Sequence, residues 1–365
     1  MYKLKRNEQE TRERLNAFWN GRSIGRPAVI THINNPDYKW LEWTGVGSGE
    51  TGKSFFEKTD FNPDRHVSGH MNLWHSKLYL FEEMPVTSMN FGYNLVLLAA
   101  VMGEKYQYND NSAWIVSREN ALDIVVPKFD KNADIIKKIE AVYEKLIIAA
   151  GEDAGLSPPP LLDGLTTLSM LHGPDKLCVS ILEEPDRVKR LTYDMTTLYL
   201  DIYEHFYRFL GERGHTDGCT WLPVVSGGRM EAVQCDFSVM LSPDMFEEFV
   251  LPDLRRTTAY FENSLYHLDG LEQLRFIDMI ASCPKINGIQ WGPVPNVGWK
   301  AEDHIDDLKY VRSLGLSIYM NPRNIDDAVY ITKKLGPDGL MFDLRHCFST
   351  KEEAYEAVKQ LEAAC

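Results

Sequence analysis

Ser264-Leu265-Tyr266-His267-Leu268-Asp269-Gly270 is an apolar run that ends in a histidine, a carboxylate two positions on, and a glycine. Positions i and i+2 of a strand point to one face, so His267 and Asp269 project together. Leu254 to Glu262 before it and Leu271 to Ala281 after it both read as helices. The unit is helix, strand, His-x-Asp-Gly, helix, and in α/β folds chemistry gathers at the C-terminal ends of strands. The competing reading makes Asp269 a cap of the next helix and His267 a hydrogen-bonded core residue.

The same rhythm spreads outward. From Pro158 on, short apolar segments at 160–163, 218–224, 265–269, 288–291, 317–320 and 339–343 alternate with helical patterns. The helices are expected over 174–183, 186–213, 242–263, 271–282, 301–314, 324–335 and 350–363. Alternation of this kind implies parallel βαβ units with right-handed crossovers. No Gly-x-Gly-x-x-Gly opens a helix after a strand, which lowers the dinucleotide-binding alternative. The expected fold is α/β, a (β/α)8 TIM-type barrel in a single domain over 1–365. Residues 158–365 form its regular βα units, and 1–157 form an irregular N-terminal part. In that part Glu8 to Trp19 and Ile135 to Gly151 read as helices, and 27–33, 85–90 and 113–116 as extended segments.

With 39 basic and 53 acidic side chains the formal charge is −14, and no basic run is interleaved with aromatics. Nucleic acid is therefore not an expected partner. No apolar run approaches the ~20 residues of a membrane span. The opening Met1 to Arg6 leads into charged residues rather than a signal-peptide core, so a soluble cytoplasmic protein is expected. The six cysteines form no Cys-x-x-Cys pair, which argues against a zinc ribbon or a thioredoxin-type motif.

Two further clusters carry chemistry-bearing residues. In Gln234-Cys235-Asp236-Phe237-Ser238, followed by Leu241-Ser242-Pro243, Ser242 and Pro243 mark a helix start. Cys235 and Asp236 thus sit on a loop just before it, either as site residues or as a small core thiol and a capping carboxylate. In Phe342-Asp343-Leu344-Arg345-His346-Cys347, the cysteine falls in the loop after the last strand. Cys347 could complete a soft metal site with His267 and Asp269, since zinc accepts nitrogen, oxygen and sulfur donors. Asp163, Asn90, Tyr266, Trp221 and Trp291 stand at or near strand ends, where they would line a substrate pocket.

Gly47-Ser48-Gly49-Glu50-Thr51-Gly52-Lys53-Ser54 matches the P-loop pattern residue for residue. A working P-loop needs a buried strand leading in and a helix leading out. Here Lys39 to Thr44 is charged, and Asn62-Pro63 comes soon after the match. A glycine-rich surface loop without nucleotide is expected.

The run Gln234-Cys235-Asp236, Leu241-Ser242-Pro243, Phe246-Glu247-Glu248-Phe249-Val250-Leu251-Pro252, Tyr266-His267-Leu268-Asp269-Gly270 and Ile289-Gln290-Trp291 resembles the uroporphyrinogen decarboxylase superfamily. The resemblance implies a distorted (β/α)8 barrel. The Arg-Gln-Ala-Gly-Arg signature of the porphyrin decarboxylases is replaced here by Gly21-Arg22-Ser23-Ile24-Gly25-Arg26-Pro27, so porphyrin decarboxylation is not implied. The other branch holds corrinoid-dependent methyltransferases with a His-x-Cys motif and a later cysteine on zinc. Asp269 stands where that motif has cysteine, which makes the donor set harder and less thiophilic.

The resemblance therefore implies methyl transfer between a small molecule, as donor or acceptor, and a corrinoid such as methylcobalamin. In such systems a separate protein would carry the corrinoid. His267, Asp269 and Asp236 are the expected catalytic residues, and His267, Asp269, Cys347 and Cys235 the expected zinc ligands. The alternatives are a non-porphyrin decarboxylase or lyase using the His–Asp pair, and a barrel that binds without catalysing.

Overall fold

The computed structural model describes residues 1–41, 61–89, 96–108, 113–292 and 300–365. Asn90 and the segment 47–54 lie outside the described residues. Eight short strands among those described run in parallel ladders: β1 (Ala28–Ile30), β2 (Val86–Ser88), β3 (Gly155–Ser157), β4 (Met230–Val233), β5 (Asn263–Leu268), β6 (Ile286–Trp291), β7 (Ser317–Met320) and β8 (Leu340–Asp343). Six form one sheet in the order β1-β8-β7-β6-β5-β4, and β2 pairs with β3. Between the two ladders, Glu82 N–H donates to Val29 O at 3.1 Å. Beyond β3, Ser157 Oγ donates to Cys219 O at 2.7 Å and accepts from Cys219 N at 2.8 Å. Gly218 approaches β4 so closely that a Cβ there would stand 2.6 Å from that of Met230.

The two faces of the large sheet pack differently. Tyr266, Leu268, Ile289, Trp291, Ile318, Met320, Leu340 and Phe342 share a core with the surrounding helices. The alternate residues Leu265, Tyr319, Met341, Ala28 and Ile30 belong to a second cluster with Leu15, Phe18 and Trp19. Those three come from the helix Glu8–Trp19. Its last turn is pinned to the N-terminal ends of β6 and β7, because Asn287 Nδ2 donates to Trp19 O at 3.0 Å and Ser317 Oγ to Phe18 O at 2.6 Å. One end of the inner face is thus plugged with apolar side chains, each worth about 1.5–3 kcal/mol when fully buried. The other end, where the strands finish, carries the polar residues.

Helices sit where the periodicity places them, with instructive exceptions. The 242–263 pattern is two helices, Pro243–Phe249 and Leu251–Tyr260. Pro252 lacks the amide hydrogen that would continue the first, and it suits the second position of a new helix. The segment 160–163 is no strand: β3 lies just before it, and Asp163 caps the helix Gly164–His172 by accepting from Thr166 N at 2.9 Å. β4 lies beyond the expected 218–224 segment. Its Glu231, 1% exposed, interrupts the apolar pattern that would have revealed the strand. Among the described residues no helix is long and apolar enough to cross a membrane.

Candidate functional site

Strand register puts His267, Gln290, Tyr319 and Met341 in one row across β5, β6, β7 and β8. Tyr319 and Met341 belong to the inner cluster, so His267 and Gln290 face the same interior near the strands' C-terminal ends. Gly292 holds β6 close to β5 there, since a Cβ at that position would stand 2.2 Å from Leu268 O.

His267 Nδ1 is hydrogen-bonded to Gln290 Oε1. Its Nε2 lies 3.6 Å from Asp269 Oδ1, within ion-pair range but longer than a hydrogen bond. The Trp221 ring stands edge-on to the imidazole, with centroids 6.0 Å apart and planes at 89°. Asp269 does not act as a helix cap: the turn Leu271–Phe276 starts at Gly270 with no side-chain cap. His267 and Asp269 stand side by side, as their spacing on one strand end predicts.

Burial opposes charge on His267, but the contacts to Asp269 and Gln290 and the charges of Asp236 and Asp269 outweigh it. The imidazole therefore titrates above its ordinary value. The contact with His267 draws Asp269 below the usual carboxylate range, against its partial burial. Burial lifts Asp236 to about 6, with His267 opposing and Asp269 adding. Asp236 Oδ1 is buried without a hydrogen-bond partner. A histidine inclined to hold a proton thus faces two carboxylates whose titrations are pushed apart, one lowered and one raised, an arrangement suited to proton transfer.

The other expected site residues lie elsewhere. Tyr266 and Trp291 point to the opposite face and are buried in the core shared with the helices. Period-2 alternation sends them there once His267 faces inward. Asp163 and Cys235 line a cavity of about 40 Å³ between helices, together with Tyr199 and Asp253. Burial lifts Asp163 to about 7, and with the charges of Asp163 and Asp236 it holds the Cys235 thiol well above its usual range. Cys347 sits beside Arg323, with Sγ 4.0 Å from the Arg323 carbonyl oxygen.

Among the described residues, no three His, Cys, Asp or Glu side chains group so as to hold a metal ion. Of the expected zinc donors, His267 and Asp269 are brought together, and Cys347 and Cys235 are not. Cys235 is buried on the helix side and Cys347 comes after β8, three strands from His267.

A second polar group on the inner face carries no expectation from sequence. Asp343, fully buried, accepts from Tyr319 Oη and from Arg345 through its amide (3.1 Å), Nε (2.9 Å) and Nη2 (2.7 Å). Lys77 pairs with Glu83, whose carboxyl burial raises above its usual range, and the charges of His32 and Arg345 act on it. Tyr319 and Asp343 lie on neighbouring strands, and the pairing of β7 with β8 brings them together.

No family model matches the chain, and no curated protein matches it in sequence. Solved structures do. A methyltransferase from Methanosarcina mazei superposes with a TM-score of 0.59 at 13% identity, covering 97% of this chain and 97% of its own. An intracellular xylanase, TsXylA, from Thermoanaerobacterium saccharolyticum covers 74% of this chain and 89% of its own at 11% identity. Its TM-score of 0.34 supports no argument. At such identities likeness speaks for fold alone, and the fold this chain shares over its length is that of the methyltransferase.

Proposed function

We propose that the chain is a methyltransferase that moves a methyl group between a small molecule and a corrinoid held on a separate protein. The eight parallel strands would close into a (β/α)8 barrel through the 217–219 segment, between β3 and β4. The observation that carries the reading is the proton-holding His267 on the inner face of a fold matched end to end by a methyltransferase.

When bound, the corrinoid supplies the cobalt that gains or gives up the methyl group. The chain's own task lies at the other end of the breaking bond. As a methyl carbon leaves an oxygen, nitrogen or sulfur, that atom gains an electron pair and needs a proton, which His267 Nε2–H is placed to deliver. Asp236, lifted to about 6 by burial, can then return a proton to the imidazole. In the reverse direction the same pair removes a proton from the acceptor. Trp221, Val239, Met240 and Leu271 are exposed apolar side chains. They flank the end of β5 that carries His267 and the loops that carry Asp236 and Asp269, and offer an apolar rim for a macrocycle or its carrier.

Incubating the protein with reduced cobalamin and a panel of O-, N- and S-methyl compounds tests this by absorbance. Wild type should methylate the corrinoid with at least one donor, and His267→Gln should not. The absence of transfer in either direction, with release of carbon dioxide from a carboxylic acid instead, would replace this reading. The decarboxylase reading is favoured by the same His267–Asp269 contact and needs no methyl carrier.

A further inference from the structure

Gln273 is fully buried on the turn Leu271–Phe276. Its Oε1 accepts from the backbone amide of Asp269 at 2.9 Å. Its Nε2 donates to Cys235 O at 3.1 Å and to Ser238 Oγ at 2.9 Å. Both ends of one amide are therefore engaged, one on the loop that carries Asp269 and the other on the loop that carries Asp236. The same two loops are also tied on the outside, where Arg275 Nη2 donates to Val239 O at 2.8 Å and Leu241 O at 2.7 Å. Thr166 steadies the Asp236 loop from a third side, accepting from Phe237 N at 3.3 Å. Phe276 stacks on Phe246 with centroids 4.3 Å apart, which anchors the turn in the helix layer.

We propose that Gln273 is a positioning residue that locks the Asp236 loop to the Asp269 loop and so sets the acidic pair around His267. It touches no reacting atom. A side chain whose polar atoms all satisfy buried partners cannot move without leaving donors or acceptors unpaired. Apolar replacement therefore releases both loops at once. The groups facing His267 are Asp269 just past the end of its own strand, Asp236 on the neighbouring loop, Gln290 on β6 and the Trp221 ring. Only the two carboxylates favour the charged imidazole by their own charge. Holding them close offsets burial, and loosening them lets burial win.

The inference rests on His267 as the proton-bearing group of the proposed reaction, but its test does not need methyl transfer. The His267 imidazole is titrated by NMR in the full chain, its signal assigned by its loss in His267→Gln. Gln273→Met should lower the imidazole titration midpoint by about one pH unit, in line with the loss of a close carboxylate. Gln273→Asn keeps the amide but is one methylene too short to span both loops, and should move the midpoint the same way if the methionine variant folds poorly. Arg275→Met cuts the outer tie and should lower the melting temperature without moving the midpoint. A Gln273 variant that melts earlier yet titrates as wild type would reduce Gln273 to a brace and overturn the proposal. An equal shift in Arg275→Met would also overturn it, by assigning the effect to the turn as a whole. A shifted imidazole with no methyl transfer in wild type would sink the proposed function and leave this inference standing.

Discussion

The inner face carries two polar groups that differ in how far they are satisfied. Asp343 accepts from Tyr319 and from three nitrogens of Arg345, so its lone pairs are spoken for. The His267 group is underfilled: Nε2 is 3.6 Å from Asp269, and Asp236 Oδ1 has no partner. A saturated network rigidifies, whereas an underfilled one keeps protons and lone pairs available for another molecule. On that contrast the Asp343 group holds β7 and β8 together at the mouth, and the His267 group is the one we propose for the chemistry.

The largest expected effect tests the second half of that contrast. His267→Gln should cut methyl transfer by about 10²- to 10⁴-fold, the usual contribution of a general acid or base. The melting temperature should move little, because glutamine can still meet Gln290 from the same position. A rate within a few-fold of wild type would show that the open group is not the chemical one.

Asp343→Ala tests the first half. It strands the fully buried Tyr319 hydroxyl without an acceptor and frees Arg345. The Arg345 side chain is 42% exposed, so water takes over part of the guanidinium's needs. The expected loss of stability is about 2–3 kcal/mol by denaturant midpoint, below the full cost of breaking a buried pair. Methyl transfer per folded molecule should fall far less than in His267→Gln. The reverse result would exchange the two roles.

How far the sequence revealed this depends on where each signal is written. The strands at 263–268, 286–291, 317–320 and 340–343 are apolar runs of ordinary length, and their flanking helices repeat at 3.6 residues. The His267–Asp269 pair was legible for the same reason, since both residues lie on one strand end. Short strands escaped: β3 is three residues beside a proline run, and β4 hides a buried glutamate. Burial lifts that Glu231 to about 8, so it enters the core largely as a neutral acid, a state that a charge-based pattern cannot anticipate. Partners set by register were not legible either. Gln290 meets His267, and Tyr319 meets Asp343, because β5 to β8 align in a particular way. Tyr266 and Trp291 show the complementary error. Proximity to a strand end suggested a pocket, but their parity along the strand sends them to the helices.

The smallest effect, and the one with the least familiar sign, concerns Asp236. Its carboxyl is lifted from about 4 to about 6 by burial, so the folded chain binds a proton there more tightly than the unfolded chain does. Stability then falls as pH rises between those two values, and the whole cost stands above them. Asp236→Asn removes that cost. The variant should match wild type near pH 4 and exceed it by about 1–2 kcal/mol at pH 8, short of the roughly 3 kcal/mol a two-unit shift implies, because the site is partly open to water. His267 works in the opposite sense. Its raised value stabilises the fold below its unfolded titration near 6.5 and loses that contribution as pH climbs through the folded one. Removing the Asp236 charge shrinks that contribution, so part of the gain is cancelled below about pH 7, and the two proteins diverge most clearly on the alkaline side. Denaturant midpoints from pH 4 to 9 would resolve the curve. A variant less stable than wild type at pH 8 would mean that ionised Asp236 is held by His267 as firmly as Asp343 is held by Arg345. The open group would then be a closed one, and the contrast between the two halves of the mouth would fail.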